Sequence, residues 1–278
     1  MIWLIQDAHR KYDEVEKEAN ALEGLTYKFV GFGMIPFTNI VTGIDIDILN
    51  DSVIIRGGTK VLDLIIADSF DIEGANDIQR DNFRNGIFYN AEKFDQAYYT
   101  SLNLPLLNAN ATVCNVADIL HTKFDKPAFI KPSNDRKSFN AQFVDVGQTL
   151  EESIKSSMYQ IGYETETCVV SFDIANIKRE CRFFVVDNNV VTGSHYRIND
   201  VTIPKVIQTD DIIWSIADEY ALLYKPHDVF VMDIAETDEG FKIVEYNCLN
   251  ASGLYLADVK KLFISLQNYQ NKHKIVVD

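Results

Sequence analysis

VFVMDIAETDEGFKIVEYN, residues 229–247, reads as a β-hairpin: an apolar run, a polar turn at Thr237–Gly240, and a second run returning through Ile243. Its polar residues decide the reading. Asp233 interrupts the first run, and Glu245 and Asn247 close the second. Residues two apart on a strand face the same side, so Glu245 and Asn247 project together. A turn centred on Glu239 sets Asp233 opposite Glu245, on that same face. Two facing carboxylates repel unless a cation or proton lies between them. With an amide oxygen beside them they suit a hard divalent cation such as magnesium, which binds through one or two carboxylates plus phosphates. The same pattern also fits a solvated polar face on an ordinary hairpin.

Upstream, ECRFFVVDNNVVTGSHYRI (180–198) reads as a second hairpin turning at Asp187–Asn189. Glu180 and Arg182 share a face of its first strand, and Arg197 at the far end reaches the same region. An arginine on a rigid strand suits bidentate phosphate or carboxylate recognition, and a glutamate beside it suits ribose hydroxyls. A plain salt pair fits equally well. TETCVVSFDI (165–174) reads as a strand. Further upstream, FIKPSNDRKSF (129–139) sets Lys131 at the end of an apolar strand, with Arg136 and Lys137 across a polar turn. Three cations in seven residues stand out in an acidic chain. They fit a phosphate-binding cleft or a solvated loop.

The chain carries 26 Lys+Arg against 41 Asp+Glu in 278 residues, a net charge of −15. That excludes a nonspecific nucleic-acid binder, which needs a basic face. The 47% hydrophobic content excludes a disordered chain. The apolar start MIWLIQ is too short for a signal peptide and no stretch spans a membrane, so a reducing cytoplasm is expected. The four cysteines form no CxxC pair, and buried reduced thiols are the expectation, ahead of zinc or disulfides. No P-loop, zinc-protease, dinucleotide or nucleophile-elbow motif occurs. MIWLIQ, YKFVGFGMI (27–35), SVIIRGG (52–58) and GIFYN (86–90) read as strands. Residues 7–22, 91–102, 149–160, 209–223 and 256–267 read as helices. Alternating strands and helices first, hairpins later, indicate an α+β (α/β) protein. The softest boundary lies at about 105–120, in LPLLNANATV.

The order of these patches carries a resemblance: strand lysine, second lysine, acidic-x-Arg hairpin, then a D…ExN hairpin. Over about residues 115–260 it resembles the ATP-grasp superfamily of carboxylate–amine ligases. Within it, the chain looks most like the branch with one arginine and two lysines, found largely in phages and bacteria. The resemblance implies two α+β lobes gripping ATP, with residues 1–113 a pre-grasp α/β domain and 114–278 the ATP-grasp domain. Lys131 and Lys137 would hold phosphates. Val170, Ser171, Phe172 and Asp173 would form the hinge over adenine, although the family's hinge glutamate is absent from this SFD. Glu180 would lie near ribose with Arg197 in reach, Arg182 would neutralise the γ-phosphate, and Asp233, Glu245 and Asn247 would ligate magnesium. The implied reaction is ATP-dependent: a carboxylate becomes an acyl phosphate, and an amine (amino acid, peptide or protein) displaces the phosphate. A kinase, or a non-catalytic nucleotide-binding phage factor acting on a host partner, uses the same parts. A cytoplasmic location (the host's, for a phage protein) and a homodimer are further expectations. Residues 1–110 should shape the acceptor pocket, with Arg56 as an anion contact.

Overall fold

The computed structural model describes residues 1–6, 18, 20–34, 38, 40–57, 70–134, 138–155, 159, 162–199 and 201–273. Among these, four sheets carry the fold. β1 (Ile2–Gln6) pairs in parallel with β2 (Tyr27–Val30) and β5 (Val53–Arg56). IWLIQ and VIIR are nearly continuous apolar runs, as strands covered on both faces require. A small sheet beside them joins β3 (Gly33–Met34), β4 (Ile40–Thr42) and β6 (Asp71–Ile72).

Helix α1 (Asp77–Arg84) starts at a capping box: the Asn76 side chain accepts from Gln79 N–H while the Gln79 side chain accepts from Asn76 N–H. It is a helix that the apolar pattern of the sequence does not announce. GIFYN, expected as a strand, is irregular; its Phe88 N–H bonds to the Asn250 side chain instead of a neighbouring strand. The helix expected at 91–102 shrinks to one turn, α2 (Gln96–Tyr99), capped by Asp95.

The third sheet is antiparallel, in the order β7-β10-β8-β9. Its strands are β7 (Thr112–Asn115), β8 (Ala128–Pro132), β9 (Gln142–Val144) and β10 (Thr167–Ser171). Short helices α3 (Val116–Ile119) and α4 (Leu150–Lys155) close a core of Val116, Ile130, Val144, Leu150, Ile154 and Val170. Residues 172–176 then lead into the largest sheet.

That sheet runs β13-β12-β11-β14-β15, from β11 (Ile177–Val186), β12 (Asn189–Ile198), β13 (Val201–Val206), β14 (Val229–Thr237) and β15 (Gly240–Asn247). Asp187 and Asn188 turn the first hairpin at φ 49° and 66°, the two positive values a type I′ turn needs. Gly193 is required where it stands, since a Cβ there would lie 2.7 Å from the Phe183 ring. β13 is a strand that the sequence pattern does not suggest: VTIPKV is exposed throughout and carries a proline.

Alternation sorts the sheet's two faces. Cys181, Phe183, Val185, Phe230, Met232 and Ile234 pack toward α5 (Ile212–Leu223). Phe184, Val186, Val229 and Val231 pack with α6 (Val259–Lys272) and the parallel sheet. Each fully buried aromatic or aliphatic side chain contributes about 1.5–3 kcal/mol. Asp211 and Asp258 cap α5 and α6, so both helices begin three residues later than expected. The cysteines are free; Cys114 and Cys168 face each other across β7 and β10, sulfur to sulfur 3.8 Å. No helix among the described residues is long and apolar enough to cross a membrane.

Candidate functional site

The face that buries Phe184 and Val231 turns polar at its other end, with the same alternation. Continuing it, β11 presents Arg182 and Glu180 and β14 presents Asp233. β15 adds Glu245 and Asn247. In β15 the register is set twice. Thr237↔Gly240 through Ile234↔Ile243 run about a two-residue turn, Asp238–Glu239. The ladder then slips by one between Asp233 and Ile234, and Asp233 faces Glu245. The turn is thus not centred on Glu239 as expected; a bulge at Val244 restores the expected pairing. Bulges beside sites commonly re-aim a side chain in this way.

Arg182 lies opposite Asp233 and grips it bidentately, Nε to Oδ1 at 2.8 Å and Nη2 to Oδ2 at 2.7 Å. Burial alone would lower the Arg182 pKa; the Asp233 charge outweighs it and raises the value. Its remaining nitrogen, Nη1, makes a long 3.4 Å contact to Gly253 O. Asn247 Nδ2 donates to Asp233 Oδ2 at 3.2 Å. Lys131, on β8 of the other sheet, reaches across to Glu245 with Nζ 2.9 Å from Oε2. Asp233, Glu245, Asn247, Arg182 and Lys131 are therefore brought together in the cleft between two sheets.

Glu180 accepts from Arg197 at 3.0 Å and from the Tyr196 hydroxyl. Burial first, then the charges of Asp233 and Glu180, push the Tyr196 pKa up. Val170 and Ser171 end β10 beside β8, opposite Ile130 and Phe129. The Val170 side chain is in the core, which leaves its backbone for any ligand. Phe172 and Asp173 are exposed at the junction of the two sheets; Lys126 Nζ lies 4.3 Å over the Phe172 ring, and Asn110 Nδ2 donates to Asp173 at 3.1 Å. Arg136 and Lys137 lie outside the described residues.

A cleft of about 210 Å3 opens at the Lys131–Glu245 pair, lined by Ser133, Asn134, Phe139 and Asn247 as well. Sequence reasoning missed Ser133, whose buried hydroxyl has no hydrogen-bond partner among the described residues, an arrangement that suits a polar ligand. It also missed Tyr196 and Tyr255, whose rings lie 5.7 and 5.4 Å from the Arg182 guanidinium carbon. Arg56 corrects an expectation. Its Nε and Nη2 meet Glu18 Oε1 at 3.0 and 2.8 Å, and Nη1 and Nη2 donate to the carbonyls of Leu249 and Ser252. It is fully buried, so the anion it meets is internal.

An ATP-grasp domain family, the second family of its clade, matches residues 109–263. The chain belongs to the ATP-grasp superfamily. Its fold agrees: D-cycloserine synthetase DcsG shares 11% identity, with 97% of this chain and 99% of that one covered at a TM-score of 0.54. The RimK domain ATP-grasp protein from Sphaerobacter thermophilus DSM 20745 shares 12%, with 95% and 99% covered at 0.54. The ATP-grasp ligase PsnB complexed with minimal precursor shares 12%, with 97% and 98% covered at 0.52. A search of curated protein sequences finds no match. For this ATP-grasp chain, a magnesium ion is the implied metal. The described residues hold no cluster of three His, Cys, Asp or Glu. Two carboxylates and an amide fit an ion that completes its shell with phosphates and water.

Proposed function

We propose that this ATP-grasp protein is an ATP-dependent carboxylate–amine ligase. The observation that carries the reading is the pairing in the cleft. Two cations suited to phosphate, Lys131 and Arg182, are matched to two carboxylates suited to a metal, Glu245 and Asp233. Nucleotide phosphates would take over the cations and release the carboxylates. Lys131, with Lys137, would hold phosphates. Arg182 would offset the charge that develops as a substrate carboxylate attacks the γ-phosphate and ADP leaves. The acyl phosphate then yields to an amine of an amino acid, peptide or protein. Asp233, Glu245 and Asn247 would hold magnesium, which when bound screens the phosphates from the attacking carboxylate. Val170 to Asp173 would meet adenine through backbone atoms, and Glu180 and Arg197 would lie near ribose. Residues 1–113 would be the pre-grasp unit. The family match and the ligases that share the fold support this reading.

Calorimetric titration of ATP with and without magnesium, on wild type and Lys131→Ala, tests it. Magnesium-dependent binding that the variant loses is expected. No binding by folded wild type would overturn the reading. A phosphorylated product that persists when amine is supplied would make the protein a kinase.

A further inference from the structure

Tyr255 has a backbone φ of +50°. Asp187, Asn188 and Asn199 share that region, and such residues tolerate it; for a bulky tyrosine it is costly. The loop around it is stitched to β12: Leu256 N–H donates to Ser194 Oγ at 3.1 Å and Asp258 N–H to Thr192 Oγ1 at 2.8 Å. Ser194 is itself the cross-strand partner of Arg182. The strained backbone sets the Tyr255 ring on the Tyr196 ring, 5.3 Å apart and 14° from parallel, within 5.4 Å of the Arg182 guanidinium carbon. Tyr255 also lines an open groove of about 460 Å3 with Val206, Leu256, Ala257 and Val259, and Asp258 and Lys260 stand in its lining. The groove is therefore continuous, through a single ring, with the cation proposed to meet the reacting phosphoryl group.

We propose that this groove is the acceptor subsite and that it takes an amine carrying an apolar side chain. Val206, Leu256, Ala257 and Val259 bury the side chain, and the Asp258 carboxylate faces the ammonium group. Tyr255 walls the subsite off from Arg182 on its other side. The inference rests on the ligase reading and deepens it, since it names the acceptor's chemistry.

The test uses L-leucinamide, which has an amine and an apolar side chain but no carboxylate, against glycinamide, which lacks the side chain. Saturation-transfer NMR gives their affinities for the full chain. Wild type should bind leucinamide about tenfold or more tightly than glycinamide, the worth of a buried aliphatic group. Val206→Asp and Leu256→Asp change residues that are 51% and 40% exposed, so folding should survive. Both should abolish the preference and leave nucleotide binding unchanged. Equal binding of the two amides by wild type, or a preference that survives both substitutions, would overturn the proposal. A wild type that fails to bind nucleotide removes the ligase reading by itself, and the amide comparison then still decides whether the groove selects apolar amines.

Discussion

Arg56 and Arg182 are both buried against a carboxylate, Glu18 for one and Asp233 for the other, and their surroundings differ. Around Arg56 the guanidinium is used on all sides, by one carboxylate oxygen and two backbone carbonyls, and both members of the pair have no exposed side-chain surface. Around Arg182 the fork is satisfied on one edge only, the other edge has a single long contact, and two tyrosine rings lie beside it. Buried ion pairs of this kind are weak evidence for stability or for function when taken alone. What distinguishes strut from site is the hydrogen-bonding capacity left over. Arg56 has spent its capacity joining distant parts of the chain, and Arg182 keeps one nitrogen at the edge of a cleft.

Substitution should separate the two. Arg182→Ala is expected to cut ADP release by about a thousandfold, the scale of losing one preorganised charge at a transition state, with the circular dichroism of wild type. A loss under tenfold would place Arg182 among the struts. Arg56→Met should do the reverse. Removing one partner of a buried pair costs about 3–5 kcal/mol, read by urea unfolding, while turnover per folded molecule stays near wild type.

His227 shows what happens to a cationic group when burial outweighs the nearby carboxylate. Burial, only partly opposed by Asp228, lowers its pKa from 6.5 to about 4, and its Nδ1 accepts from Val229 N–H. The folded protein keeps this imidazole neutral while the unfolded chain protonates it. Its contribution to stability is therefore complete above pH 6.5 and is lost as pH falls toward 4, about 3 kcal/mol in all. Unfolding free energies at pH 7 and pH 4.5 should converge between wild type and His227→Gln. A difference that does not change with pH would refute this. The smallest effect is expected at Lys131→Met, about 10- to 100-fold weaker nucleotide binding by calorimetry, the value of a charged hydrogen bond.

The two-residue period of strands made much of this legible. It placed Glu180 with Arg182 and Glu245 with Asn247, and it identified both long hairpins from apolar runs around turn residues. Asp233 and Glu245 were paired correctly although the turn was centred one residue off, because the bulge offsets that error. Other features have no local signature. Arg56 meets Leu249 and Ser252, 193 and 196 residues away, and no spacing rule reports such contacts. Helix α1 is polar along most of DIQRDNFR, so only Asn76 and Gln79 announced it. β13 buries no residue, so it has no alternation to read. The strain at Tyr255 belongs to a fold-level constraint that a tyrosine in a loop does not disclose.

The tail of the metal-face hairpin has a mechanical consequence. Asn250 is fully buried and donates to Ile55 O and Gly86 O at 2.7 and 2.8 Å while accepting from Phe88 N–H at 2.7 Å. With the Arg56 bonds, this rivets the N-terminal sheet to the largest sheet. Among the described residues the four-stranded sheet is fastened more lightly. It hangs on residues 172–176, on a bond from Gln96 N–H to Ser133 O at 2.8 Å, and on the Lys131–Glu245 pair. The molecule is built as a frame with one door, and the lysine is its latch.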